Sequence, residues 1–230
     1  MHLGFTQMQR SANRKKLVAI SPHLDDVVLG CSDLVAAHPG ALVVTVTAGR
    51  PGPHELTDWD RRCGFGPGED VIRARREEDA AALRQLGATP VWLDFLDRQY
   101  SPDWSSPDPG QVATALRPVV ADAGLVASPL GMLHPDHVAV ARACYEVART
   151  LPDLPWVIYE DAIYRARPGA TAEAITRMEA LGLALTDVHV APDSRKRSAV
   201  ELYTSQVKGL GELVLDANQP ERYWTLVSRT

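Results

Sequence analysis

Short apolar runs alternate with longer helix-like stretches along the 230-residue chain, and that alternation leaves few folds open. The runs are LVAI at 17–20, ALVVTVT at 41–47, VWLDF at 91–95, GLVAS at 124–128, WVIYE at 156–160 and YWTLVS at 223–228. They have the length and β-branched character of buried strands. Helical patterning fills 29–37, 69–87, 111–123 (through Pro118), the stretch from Val138, 171–183 and 195–209. The segment from Val138 carries a clear stripe: Val140, Ala143, Cys144, Val147 and Ala148 recur at i, i+3, i+4, i+7 and i+8. Strands joined by helices in this way form a mostly parallel sheet covered on both faces. The expectation is a single α/β domain over residues 15–230, preceded by a polar, flexible segment at 1–14. In such sheets ligands sit beyond the carboxyl ends of the strands. Chemistry is therefore expected directly after residues 20, 47, 95, 128 and 160.

Composition removes several classes of function. The formal charge of −5 lacks the basic excess of a general nucleic-acid binder. No window supplies the ~18 uninterrupted apolar residues of a membrane span, and the first sixteen residues contain no apolar core of a secretory signal. The three cysteines, Cys31, Cys63 and Cys144, have no C-x-x-C spacing, which excludes a cysteine-built zinc site and a disulfide framework. This usage fits a cytoplasmic protein. A metal site in this chain must be built from histidine and carboxylate, so its seven histidines carry the search.

Two histidine clusters fall at expected strand ends. Directly after LVAI stands Ser21-Pro22-His23-Leu24-Asp25-Asp26, and just after LVAS stand His134-Pro135-Asp136-His137. Imidazole and carboxylate suit Zn²⁺ and similar divalent ions. With two adjacent carboxylates, one can ligate while its neighbour stays free to take a proton from water. Pro135 suits the first position of a helix, which brings His134 and His137 toward one point. Asp25 and Asp26 read alone also suit a helix N-terminus. Together the two clusters supply a His₂-Asp set with an open coordination position, the pattern of a catalytic rather than a structural zinc site.

The chain resembles the PIG-L/LmbE-like N-deacetylase family. Its PHLDDVVLG (22–30) and HPDH (134–137) stand for that family's two hallmark motifs. Thr47-Ala48-Gly49, Arg75-x-x-Glu78, Tyr159-Glu160-Asp161 and Lys196-x-x-Ala199-x-x-x-Tyr203-x-Ser205-Gln206 add supporting agreement over residues 16–210. The resemblance implies a Rossmann-like three-layer sandwich and removal of an acetyl group from an N-acetylglucosamine-type sugar. It implies His23, Asp26 and His137 as ligands of Zn²⁺, with Fe²⁺ or another divalent ion as alternatives. It implies Asp25 as the general base, His134 as the group that stabilises the oxyanion or protonates the leaving amine, and Asp136 as the acid that orients a histidine. Arg75 and Asp97 match substrate-contacting positions. Leu24 and Val27 depart from the family's Pro and Glu. A Tyr that some members carry shortly before HPDH is replaced here by Met132 and Leu133.

Two other readings remain: an amidase cleaving a different amide of a sugar conjugate, and a sugar-binding relative without catalysis. The implied partner is a small N-acetylated sugar, with no nucleic acid and no membrane; self-association into a homo-oligomer is left open. The Gly64–Gly68 stretch lacks the Lys-Ser/Thr of a phosphate loop, and no G-x-S-x-G elbow occurs. Residues 51–68 and 99–110 read as long loops, with Trp59 and Trp104 placed to stack on a sugar or pack on the core. The charges from Arg73 to Asp79 read as a solvated helix face apart from Arg75. His2, His38, His54 and His189 read as surface or helix-end residues.

Overall fold

In the computed structural model, which describes residues 16–52 and 56–228, every apolar run becomes a strand. The elements in chain order are β1 (Leu17–Ser21), α1 (Asp26–Gly30), α2 (Ser32–Ala36), β2 (Leu42–Thr45), α3 (Asp58–Cys63), α4 (Val71–Gln85) and β3 (Thr89–Trp92). There follow α5 (Pro109–Val120), β4 (Leu125–Pro129), α6 (Pro135–Thr150), β5 (Trp156–Tyr159), α7 (Ala170–Ala180), β6 (Leu183–Val188), α8 (Lys196–Glu201), α9 (Thr204–Leu210) and β7 (Tyr223–Ser228). The segment 1–14, and with it His2 and also His54, lies outside the described residues.

One seven-stranded sheet has the order β3-β2-β1-β4-β5-β7-β6. The first five strands are parallel; β7 and β6 run antiparallel at one edge. Pro90 is tolerated in β3 because β3 is the opposite edge strand. Alternate residues of β1 face opposite cores. Val18 and Ile20 join a cluster with Val112 and Leu116 of α5 and Val140, Cys144 and Val147 of α6. Leu17 and Ala19 join Val27 of α1, Leu34 of α2, Leu83 of α4 and Ala199 of α8. The result is the expected three-layer single-domain α/β fold. No described helix is long and apolar enough to cross a membrane.

Four boundaries differ from the sequence reading. The helix expected at 29–37 is broken at Cys31 into α1 and α2. A side chain at Gly30 would meet the Glu160 carbonyl at 2.8 Å, and the amides of Ser32 and Asp33 freed by the break donate to the Glu221 carboxylate. The loop at 51–68 contains α3, opened by a capping box in which Thr57 accepts from the Asp60 amide and Asp60 accepts from the Thr57 amide. The helix expected at 171–183 stops at Ala180, and Gly182 (φ +77) turns the chain into β6. That strand lies at the sheet edge with only Leu183 fully buried, so it lacks the continuous apolar signature of the buried strands. The stretch at 195–209 divides at Leu202–Tyr203, where the Tyr203 hydroxyl donates to buried Asp79 (2.7 Å).

Candidate active site

The sheet order reverses between β1 and β4, whose neighbours are β2 on one side and β5 on the other. This places a crevice at their carboxyl ends. The Ser21 hydroxyl donates to the His23 carbonyl (2.7 Å) and accepts from the Val27 amide (3.1 Å), bending the chain so that His23, Asp25 and Asp26 turn over the end of β1. Beyond β4, Pro135 opens α6 and His134 is its N-cap, its Nδ1 accepting from the Asp136 amide at 3.3 Å. Asp136 and His137, in the first turn, are buried.

The two motifs meet. His23 Nδ1 lies 3.1 Å and His137 Nε2 3.2 Å from Asp26 Oδ2. Each histidine is held through its other nitrogen: His23 Nε2 lies 3.1 Å from Asp136 Oδ2, and His137 Nδ1 lies 2.5 Å from Asp161 Oδ1. An acid on one ring nitrogen assigns the proton there and leaves the other nitrogen as a lone pair. Two lone pairs then face one carboxylate oxygen, and buried His137 Nε2 has no hydrogen-bond partner. Opposed acceptors at this spacing call for positive charge between them. Nitrogen and oxygen ligands about 2.0–2.1 Å from a tetrahedral ion stand about 3.3 Å apart, close to the observed separations. The residues therefore fit a divalent cation. Without one, protons fill the same need. His23 is held well above its usual value, because hydrogen bonds to Asp136 and Asp26 outweigh burial. His137 is pushed up to about 9, the charges of Asp26 and Asp161 likewise prevailing over burial. Asp26 stays well below the usual carboxylate range despite its burial, chiefly because His137 faces it.

His134 brings a ring nitrogen within 4.8 Å of ligand atoms of His23 and His137. Burial, and then the neighbouring His23 and His137, lower it to about 4, so it is neutral at neutral pH. With Nδ1 accepting from the Asp136 amide, its proton sits on Nε2. Asp25 is buried beside this group without joining it. Burial first, and then the charge of Asp26, push Asp25 up to about 7.

Arg75 is only 4% exposed and Asp97 is buried. Arg75 Nη1 stands 3.9 Å from Asp97 Oδ2, and the guanidinium also acts on Asp25. Both oxygens of Asp97 accept from Gln99, one from its amide and one from its side chain. A second grouping of ligand-type atoms, from His23, Asp97 and Asp136, lies within 4.8 Å, but hydrogen bonds already engage His23 Nε2, Asp136 Oδ2 and Asp97. All eight residues singled out from the sequence thus lie in or against one crevice.

The sequence reading gave no role to two residues here. Asp161 follows β5, one of the strand ends marked for chemistry; its Oδ2 accepts from the Gly131 amide (2.9 Å) while Oδ1 holds His137. Tyr164 packs edge-on against His137, with ring centroids 4.8 Å apart, and lies 6.1 Å from His134. No pattern in the sequence marked it. Other supporting motifs prove structural. Glu78 accepts from the Thr204 hydroxyl and from the Ser205 amide and hydroxyl, clasping α4 to α9. Asp79, assigned to a solvated face, is buried and accepts from Trp92 and Tyr203. Trp59 donates to Gln206 and lies against the Gly209 backbone, so it packs, whereas Trp104 is 60% exposed.

The family model described as PIG-L, GlcNAc-PI de-N-acetylase, matches residues 18–148. Among solved structures, a deacetylase triple mutant of the teicoplanin biosynthetic pathway is 30% identical over 93% of this chain and 98% of that one, with a TM-score of 0.75. The zinc-inhibited form of teicoplanin deacetylase is 28% identical over 93% and 98%, with a TM-score of 0.76. The A40926 pseudoaglycone deacetylase is 27% identical over 95% and 99%, with a TM-score of 0.74. No curated protein sequence matches the chain.

Proposed function

The chain belongs to the GlcNAc-PI de-N-acetylase (PIG-L) family, and on that premise we propose that it is a metal-dependent hydrolase that removes the acetyl group from an N-acetylglucosamine-type sugar in a glycoside. The observation that carries this reading is the convergence of His23 Nδ1, Asp26 Oδ2 and His137 Nε2, with Asp25 buried beside them and outside the set. Those three side chains would hold the cation. When bound, it supplies Lewis acidity that polarises the amide carbonyl and acidifies water.

The remaining chemistry belongs to the chain. Asp25 takes a proton from the attacking water and returns it to the departing amine nitrogen, so the amide and water become acetic acid and free amine, which leave at neutral pH as acetate and ammonium with the proton count closed. A base poised near neutrality suits both halves of that task. His134, neutral with its proton on Nε2, donates a hydrogen bond toward the oxyanion. Its low value supports a hydrogen-bond role over delivery of a proton. Asp136 and Asp161 fix the two ligand histidines, and Arg75 faces the charges of Asp25 and Asp97.

Similarity to the teicoplanin and A40926 deacetylases supports an acceptor sugar carried on an antimicrobial-type aglycone. One relative is known in a zinc-inhibited form, so Zn²⁺, Fe²⁺ and other divalent ions are compared directly. The deciding experiment measures acetate release from a panel of N-acetylglucosaminides by protein stripped of metal and reconstituted with each ion. Acetate release restored by a divalent ion supports the reading; cleavage without acetate favours an amidase; no turnover with any ion overturns it.

A further inference from the structure

The turn after β5 holds a strained residue beside the crevice. Ile163 has φ 63, a left-handed conformation that β-branched side chains rarely adopt. The surroundings enforce it. The Ile163 amide donates to Asp216 Oδ2 (2.6 Å), and Arg165 Nε donates to the same oxygen (2.8 Å). Arg165 Nη2 and Nη1 reach the carbonyls of Asp216 (2.6 Å) and Pro220 (3.0 Å). Backbone strain kept in place by such a network clusters at functional sites. The residue between the two anchors is Tyr164.

Its ring stands edge-on to His137 and near His134. Its hydroxyl makes no hydrogen bond with any described residue, and the ring lies beside His137 and near the carboxylates of Asp26, Asp25, Asp161 and Asp97. A donor without a partner, held by a strained turn beside the N–H of His134, is suited to charge that exists only during the reaction.

We infer that the Tyr164 hydroxyl donates a hydrogen bond to the oxyanion formed when water attacks the substrate amide, opposite His134 Nε2–H, and that the Ile163–Asp216–Arg165 network is the device that holds it there. Tyr164 keeps its proton throughout, so it adds no step to the proton balance. The inference rests on the deacetylase reading, and it assigns an oxyanion donor from the β5 turn in a chain whose segment before His134 offers only Met132 and Leu133.

Tyr164→Phe keeps the ring packing and removes only the hydroxyl. With p-nitrophenyl N-acetyl-β-D-glucosaminide, or whichever glycoside of the panel turns over fastest, kcat is expected to fall about 10²–10³-fold. KM, metal content and Tm stay near wild type. Asp216→Ala, which frees the turn without altering the hydroxyl, is expected to give a smaller fall in kcat at unchanged metal content. A second readout does not depend on turnover: calorimetric affinity for methylphosphonate, a tetrahedral anion, falls in Tyr164→Phe, while affinity for planar acetate holds. Wild-type kcat in Tyr164→Phe, a loss confined to KM, or unchanged methylphosphonate affinity overturns the inference. If wild-type protein releases no acetate from any glycoside, the deacetylase reading fails, and the methylphosphonate comparison alone decides whether Tyr164 serves a tetrahedral anion.

Discussion

Asp161→Asn isolates the group that holds His137. The wild-type carboxylate is an acceptor on both sides, for His137 Nδ1 through Oδ1 and for the Gly131 amide through Oδ2. An amide in the same place offers one acceptor and one donor. With its oxygen toward His137, its NH₂ meets the Gly131 N–H, donor against donor. With its NH₂ toward His137, Nδ1 must lose its proton and Nε2 must carry it, which removes the lone pair that faces Asp26. Neither orientation satisfies both neighbours in a buried setting, where an unpaired polar group costs about 1–3 kcal/mol. Loss of the acid behind a ligand histidine costs about 10–100-fold in metal affinity, or about 1.4–2.7 kcal/mol from the tenfold equivalence of 1.36 kcal/mol. The two figures describe one mismatch and agree in size. Zn²⁺ titration of metal-free wild type and variant by calorimetry at pH 7.5 measures it, with circular dichroism to verify the fold. Wild-type affinity in a folded Asp161→Asn protein would refute the reasoning, since it would show that the His137 tautomer is indifferent to its partner.

Other outcomes follow from the same geometry. The metal-free folded chain holds Asp25 near 7, against 3.8 for the free group, so it retains a proton that the unfolded chain has lost. Stability from this group is present in full below pH 4 and is lost as pH rises through 7. Asp25→Asn should therefore stabilise the metal-free protein at pH 8 by on the order of 4 kcal/mol at most, seen as a raised Tm, leave Tm nearly unchanged at pH 4, and abolish acetate release at both; an equal shift at the two pH values would contradict this. His134→Ala should retain metal and lose about 10²–10³-fold in kcat, measured by acetate release with metal analysis. Gly131→Ala places a Cβ 2.5 Å from the Ala141 Cβ at φ +80, and overpacking plus the left-handed conformation should cost about 2–4 kcal/mol in urea denaturation. Removal of metal by chelation should lower Tm, and readdition should restore it.

β1, β2, β4 and β5 were legible because they are largely buried and therefore read as continuous apolar runs, whereas β3, half-buried at the edge, was legible only through its Val91-Trp92-Leu93. The antiparallel edge was only half legible. β7 carries aromatic and β-branched residues, but β6 has only Leu183 fully buried and directly follows a helix of similar composition. The residues of the crevice were legible where side-chain chemistry is concentrated in a few consecutive positions, as at 23–26 and 134–137. Asp161 sat at a marked strand end within the quoted Tyr159-Glu160-Asp161, but nothing in that run tells which of its two acids meets a histidine. Tyr164 was beyond reach for a different reason. Its placement depends on a positive φ at Ile163 that no isoleucine would advertise, and on an aspartate more than fifty positions downstream. Buried Asp79 was misjudged because its partners, Trp92 and Tyr203, come from other elements.

The strand order also dictates when this protein becomes chemically competent. His23 and Asp26 leave the ribosome early, just after β1, but their partners stand beyond β4 and the group that holds His137 stands beyond β5. Up to that point the growing chain lacks the acid that holds His137. The anchor of the β5 turn, Asp216, arrives later still, close to the carboxyl-terminal strand. The candidate site is thus assembled only once the chain has folded through Asp216.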